Sequence, residues 1–138
     1  MLFRSQDSLG LAYLFITHNI SVVEYLADEV AVMYLGRIVE RGRVEEVLAN
    51  PRHPYTQALL SAVPVIELES KRTVIRLHGD LPSPVNPPTG CHFHPRCRHA
   101  MPVCHRTYPG TSTFSATHTA RCYLYPQQQD PSTPAAET

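Results

Sequence analysis

The sequence predicts an α/β fold that gives way, past residue 80, to a loop-rich extension stapled by a metal. Three observations predict it. Short apolar runs alternate with helical stripes through the first half. Ten of the thirteen prolines follow Asp80. All four cysteines lie between Leu81 and Cys122, a window with four arginines, five histidines and no acidic residue. The chain has 138 residues, enough for about one domain.

Each element has its own local reason. Leu9 to Ile16 is a continuous apolar run with two aromatics, the pattern of a strand covered on both faces of a parallel sheet. Thr17-His18-Asn19 forms a polar tip after it. Ser21-Val22-Val23-Glu24 matches a capping box and predicts a short helix to about Ala27. Val30 to Leu35 reads as a second buried strand, Gly36-Arg37 as a turn and Arg37 to Glu40 as the returning strand of a hairpin, with Gly42 breaking the pattern. Val44, Val47 and Leu48 make a helical stripe that Asn50-Pro51 stops. Pro54 suits a first helical position and opens a helix to Ala62. Thr73 to Leu77 reads as one more strand.

Composition excludes several functions. Lys+Arg and Asp+Glu both number 12, so the formal charge is zero and a general polyanion binder is not expected. No apolar run approaches the ~18 residues that span a bilayer, and Met1 opens no signal peptide. A soluble, cytosolic chain is expected, in a reducing compartment where cysteines bind metals rather than pair.

His18 sits at the carboxyl end of the first predicted strand, where open α/β sheets place their ligands. Its surroundings are specific. Leu14-Phe15-Ile16-Thr17-His18-Asn19 followed by Ser21-Val22-Val23 resembles the switch-histidine loop of ABC-transporter ATPases. Val30 to Glu40 resembles the strand pair that follows that loop. Asn50-Pro51-Arg52-His53-Pro54-Tyr55-Thr56 resembles the signature that opens the C-terminal region of oligopeptide and dipeptide importer ATPases. Gly79-Asp80-Leu81-Pro82-Ser83-Pro84 and Asn86 to Cys91 resemble the tail of the same subfamily. The four blocks stand in the family's order over residues 9 to 122, and the chain is identified as similar to the C-terminal portion of a peptide/nickel-type ABC transporter ATP-binding subunit.

That resemblance implies a C-terminal piece of an ABC-type nucleotide-binding domain over residues 1–50, a peptide-transporter C-terminal region with its cysteine set over 51–125, and a disordered tail over 126–138. It places Met1 within the helix preceding the switch-histidine strand. It gives His18 both the catalytic and the nucleotide-contacting role, reaching the γ-phosphate and holding the attacking water in line. The family often has Asp where Asn19 stands, which removes one negative charge beside the nucleotide. ATP with Mg²⁺, transmembrane permease subunits, a second ATPase subunit and a place on the cytoplasmic face of the membrane are implied with it; nucleic acid is not. The sequence contains no Gly-x-x-x-x-Gly-Lys-Ser/Thr loop, signature motif or Walker B strand. Phosphoryl transfer needs the charge stabilisation those parts supply, so no ATP turnover is expected of this chain alone.

Cys91, Cys97, Cys104 and Cys122 are spaced Cys-x5-Cys-x6-Cys-x17-Cys. A segment too poor in apolar residues to fold by burial can be organised by a metal. Four thiolates suit Zn²⁺ or an iron–sulfur cluster, though the gaps exceed those of ordinary zinc ribbons. The family resemblance implies a [4Fe–4S] cluster. Arg96, Arg98, Arg106 and Arg121 would offset its charge. His92, His94, His99 and His105 keep Zn²⁺ with mixed Cys/His ligands open as the rival, and four unligated thiols as the third reading. His53-Pro54-Tyr55 is read as structural, and Gln127 to Thr138 as a disordered end. Against the transport ATPase stands a second class of function: a metal-binding interaction module, or an ATPase relic, that works without nucleotide.

Overall fold

The computed structural model describes residues 2–64 and 73–128. Helix α1 spans Leu2–Leu9 and ends at Gly10, whose φ of 62° is the left-handed turn that terminates it. It occupies the place that the family resemblance gives to a helix before the switch-histidine segment. Residues 11–17 then run without regular structure and exposed to solvent. The parallel-type strand expected from Leu9 to Ile16 is therefore not formed. A strand needs a neighbour for its backbone N–H and C=O groups, and none of the four strands among the described residues pairs with this segment.

Helix α2 spans Ile20–Leu26. Its cap is Asn19 rather than the expected Ser21: the Asn19 side-chain oxygen accepts the N–H of Ser21 at 3.1 Å and of Val22 at 3.4 Å. Its amide oxygen, on the residue directly before the first turn, satisfies two orphan donors at once. Strands β1 (Glu29–Tyr34) and β2 (Arg37–Arg43) form the expected hairpin. Leu35 and Gly36 have φ of 44° and 76°. Positive φ at both central residues of a two-residue loop is the turn whose twist matches the strands. Gly42 does not end β2 but lies inside it, where a Cβ would stand 3.1 Å from both the His118 backbone and the Val47 side chain.

Helices α3 (Val44–Ala49) and α4 (Pro54–Ser61) follow as the sequence predicts. Val44 and Val47 face inward, and Pro54 takes the first turn of α4. The expected strand from Thr73 to Leu77 is not formed. The Ile75 N–H donates instead to the Ser61 hydroxyl at 2.9 Å, a single tie to α4 in place of a ladder.

The extension carries a 3₁₀ turn at His94–Arg96, helix α5 (Pro102–Arg106) and strands β3 (Ser112–Thr113) and β4 (Thr119–Ala120). The sheet runs β1-β2-β4-β3, antiparallel at every pairing. Half of it thus comes from the α/β-patterned first half and half from the extension. The core joins the same two parts. Phe93 is 2% exposed and packs on Tyr34 and Val39 of the hairpin. Tyr34, Tyr55 and Phe93 meet edge-on or tilted at ring separations of 4.7 to 5.4 Å, arrangements that aromatic quadrupoles favour. The extension therefore does bury an apolar anchor, contrary to the expectation from its composition.

Candidate functional site

The four cysteines, spread over 32 residues, come together at one small cavity, lined also by His53, Phe93, His94 and His99. Three local devices deliver them. The first is a close approach of two backbones. Gly90 has φ 70°, and a Cβ there would stand 2.4 Å from the Cys104 carbonyl oxygen, so only glycine lets residues 89–91 run against 104–106. There the Cys91 N–H donates to the Cys104 carbonyl at 2.8 Å and the Thr89 hydroxyl to that of His105 at 3.1 Å.

The second device is the 3₁₀ turn. The His94 and Cys97 amides bond to the carbonyls of Cys91 and His94 at 3.0 and 3.2 Å, wrapping Cys91 and Cys97 around the buried Phe93 ring. The third is the β2–β4 pairing, in which Glu40 faces Ala120 and the Arg121 N–H donates to the Val39 carbonyl at 2.8 Å. This carries Cys122, distant in sequence, to the other three. Its carbonyl is held at 2.7 Å by the side-chain amide of Gln127. Gln127 and Gln128, assigned from composition to a disordered end, are tied down by that bond and by the Gln128 N–H to the Thr111 carbonyl at 2.9 Å; residues 129–138 lie outside the described part of the chain.

Burial raises the thiols of Cys91 and Cys97, and it pushes Cys122 up to about 11. Neighbouring sulfurs add to the effect at each, because one thiolate disfavours the next. The Cys104 sulfur accepts the Met101 N–H at 3.4 Å. All four cysteines are free thiols. Among the described residues, no three His, Cys, Asp or Glu side chains converge tightly enough to hold a single metal ion. A tetrahedral ion bound at about 2.3 Å by each sulfur would bring the sulfurs to about 4 Å from one another. The mixed Cys/His zinc set, kept open from sequence as the rival, therefore has no converging group among the described residues. His94 is instead bonded through Nδ1 to the Cys91 carbonyl at 2.8 Å and packed at a tilt against His105, ring centres 4.2 Å apart. His92 packs on Tyr108, and His99 meets the Arg98 guanidinium.

His18 does not line this cavity. It is exposed in the segment before α2, immediately ahead of the capping residue Asn19.

The residues that sequence reasoning missed are Glu40 and His118. Glu40, on β2, is 1% exposed. Its carboxylate accepts the N–H of Arg52 and of His53, each at 2.8 Å, and lies 2.7 Å from Nε2 of His118. It thereby joins the hairpin, the start of α4 and the turn leading into β4. His53 caps α4 in turn, its Nδ1 accepting the Tyr55 N–H at 3.1 Å. Burial pushes His53 down to about 4, which keeps the ring neutral and Nδ1 free to accept. The His53-Pro54-Tyr55 triplet is thus structural: a cap, a first-turn proline and a core aromatic. Glu46 of α3 makes a parallel tie, taking hydrogen bonds from the Ser115 and Thr117 hydroxyls that hold its carboxyl below the usual range.

With this geometry in view, the likeness to known proteins can be placed. Residues 39–104 match the family described as oligopeptide/dipeptide transporter, C-terminal region. That span runs from β2 through α5 and holds Glu40, the α4 cap and three of the four cysteines. The chain is 49% identical over 126 residues to the dipeptide transport ATP-binding protein DppF of Escherichia coli, covering 91% of this chain and 37% of that protein. It is 56% identical over 104 residues to the DppF of Haemophilus influenzae, covering 75% of this chain and 32% of the relative. It is 48% identical over 122 residues to the oligopeptide transport ATP-binding protein AppF of Bacillus subtilis, covering 87% of this chain and 37% of the relative. The chain thus spans about a third of the length of the curated relatives it matches. Residues 39–104 are thus similar to the C-terminal region of oligopeptide/dipeptide transporters, and the chain as a whole is similar to part of several peptide transport ATP-binding proteins.

Proposed function

We propose that this chain is the C-terminal portion of the ATP-binding subunit of an ABC transporter that imports peptides. The observation that carries the proposal is the 49% identity to a dipeptide transport ATP-binding protein over 91% of the chain. The parts that hold MgATP belong to sequence this chain does not contain, so ATP turnover is a property of the longer subunit. In it, His18 is the residue that reaches the γ-phosphate and keeps the attacking water in line. Its support is the Leu14-Phe15-Ile16-Thr17-His18 block and its exposure directly before a capped helix. The subunit works with transmembrane permeases and a second ATPase subunit at the cytoplasmic face of the membrane. Among the described residues no helix is long and apolar enough to cross a membrane.

Cys91, Cys97, Cys104 and Cys122 are the ligands of a [4Fe–4S] cluster. The support for a common centre is that all four cysteines line one small cavity. The Met101 N–H already aimed at the Cys104 sulfur is a bond of the kind that tunes such centres. A cluster here would supply one-electron chemistry or a structural staple, while the protein's own contribution is to bring Cys122 to the other three through β2 and β4.

Two measurements test the reading. In the longer subunit assembled with its permeases, His18→Ala should lower ATP turnover by about 100-fold or more with nucleotide binding retained, as expected for loss of a transition-state contact. Turnover unchanged by His18→Ala, or His18-dependent turnover by this chain alone, would overturn the assignment. Protein purified without oxygen should contain iron and acid-labile sulfide in similar amounts; zinc without sulfide would replace the cluster by an ion.

A further inference from the structure

Among the four cysteines, one pair stands apart. Cys91 and Cys104 are joined backbone to backbone, the Cys91 N–H donating to the Cys104 carbonyl at 2.8 Å, and both side chains line the same cavity. With standard backbone dimensions, a single N–H···O=C bond of 2.8 Å keeps the two Cα atoms within about 6 Å of each other. That lies within the roughly 4.4–6.8 Å over which a disulfide closes without backbone movement. Gly90 enforces the approach, since any side chain there would strike the Cys104 carbonyl. Among the described residues no other two cysteines share a backbone hydrogen bond.

We infer that Cys91 and Cys104 form a reversible disulfide when the metal-free protein meets a peroxide, and that this bond withdraws half of the sulfur donors from the cavity. The half-buried Cys91 reacts first. Its thiolate sulfur attacks one peroxide oxygen, the S–O bond forms as the O–O bond breaks, and the departing hydroxide takes a proton to leave as water. The Cys104 sulfur, buried beside it, then attacks the sulfenic sulfur. The S–S bond forms, the S–O bond breaks, and a second water leaves with the Cys104 proton. Two thiols are oxidised and one peroxide is reduced to two waters. A thiol reductant such as reduced glutathione reverses the bond by exchange. Backbone geometry selects the pair: the Cys91–Cys104 bond and the close approach that Gly90 permits.

The test needs no metal, so it stands or falls separately from the cluster assignment. Metal-free protein is treated with limiting hydrogen peroxide, its remaining thiols are alkylated, and it is digested with trypsin. Arg96, Arg98, Arg106 and Arg121 place every cysteine on a different peptide, so each linkage has its own mass. The same reaction in guanidinium supplies the unfolded reference. There, closure probability falls with loop length, and the 13-residue separation of Cys91 and Cys104 is about threefold disfavoured against the neighbouring separations of six and seven. The folded protein should give the 77–96 to 99–106 crosslink as its main product, reversible by glutathione. The double variant Cys97→Ser/Cys122→Ser should keep it. A folded-state distribution equal to that in guanidinium would overturn the inference, as would a dominant Cys97–Cys122 linkage.

Discussion

Glu40 and His118 lie 2.7 Å apart, both buried, across a sequence separation of 78 residues. The pair pins the turn before β4 to the hairpin, and Cys122 follows β4 by two residues, so this contact stands behind the arrival of the fourth cysteine. Removing the Glu40 side chain leaves the Arg52 and His53 amides and the His118 ring without their acceptor, at about 1–3 kcal/mol for each buried group left unpaired. Glu40→Ala should therefore lower the unfolding free energy by about 3 kcal/mol or more in denaturant titrations. With His118→Ala added, the total should fall short of the two separate costs by about 1 kcal/mol or more. Simple additivity would mean that the two side chains act independently.

Phe93 is the apolar counterpart of that link. Phe93→Ala should cost about 3–5 kcal/mol and speed the reaction of Cys91 and Cys97 with a thiol reagent. Leucine at the same position should restore most of the stability. Thiol reactivity unchanged by Phe93→Ala would show that the 3₁₀ turn holds its shape without the buried ring.

Gly90 offers a sharper test of the cysteine geometry. A side chain at φ 70° is strained, and its Cβ would press 2.4 Å from the Cys104 carbonyl. Gly90→Ala should destabilise the protein by more than about 1 kcal/mol and separate residues 89–91 from 104–106. The measurable consequence is loss of hydrogen-exchange protection at the Cys91 amide. Protection equal to that of the parent would show that the two backbones stay paired.

His53 gives the fold a defined acid limit. Burial holds the folded-state value at about 4 against 6.5 for the free side chain. Between those values the unfolded chain binds the extra proton, so stability rises with pH across that window and is lost as pH falls from 6.5 towards 4. The full loss is about 3 kcal/mol. Protonation also removes the Nδ1 acceptor that caps α4. His53→Asn, which retains a capping acceptor without a titrating ring, should flatten stability between pH 4 and 6.5 in denaturant titrations. An unchanged pH slope in the variant would assign the acid sensitivity to another group.

Local sequence determined the parts whose cause is local. The β1–β2 hairpin, the Val44 stripe and the proline-led α4 needed only periodicity and turn chemistry, and each forms where those signals stand. The cysteine spacing named the candidate ligands, and the Leu14-to-His18 and Asn50-to-Thr56 blocks carried the family resemblance. Tertiary structure decided everything that depends on a neighbour distant along the chain. The apolar run from Leu9 to Ile16 has the composition of a strand, yet a strand's hydrogen bonds are made by another strand, and none of the described ones lies beside it. Glu40 looks like any charged residue on a hairpin. Its role exists only because folding places two backbone amides and an imidazole around its carboxylate. Cys91 and Cys104 are likewise set apart from the other cysteines by a backbone bond that no spacing encodes, because contact across a chain depends on which segments pack together and not on the residues that separate them.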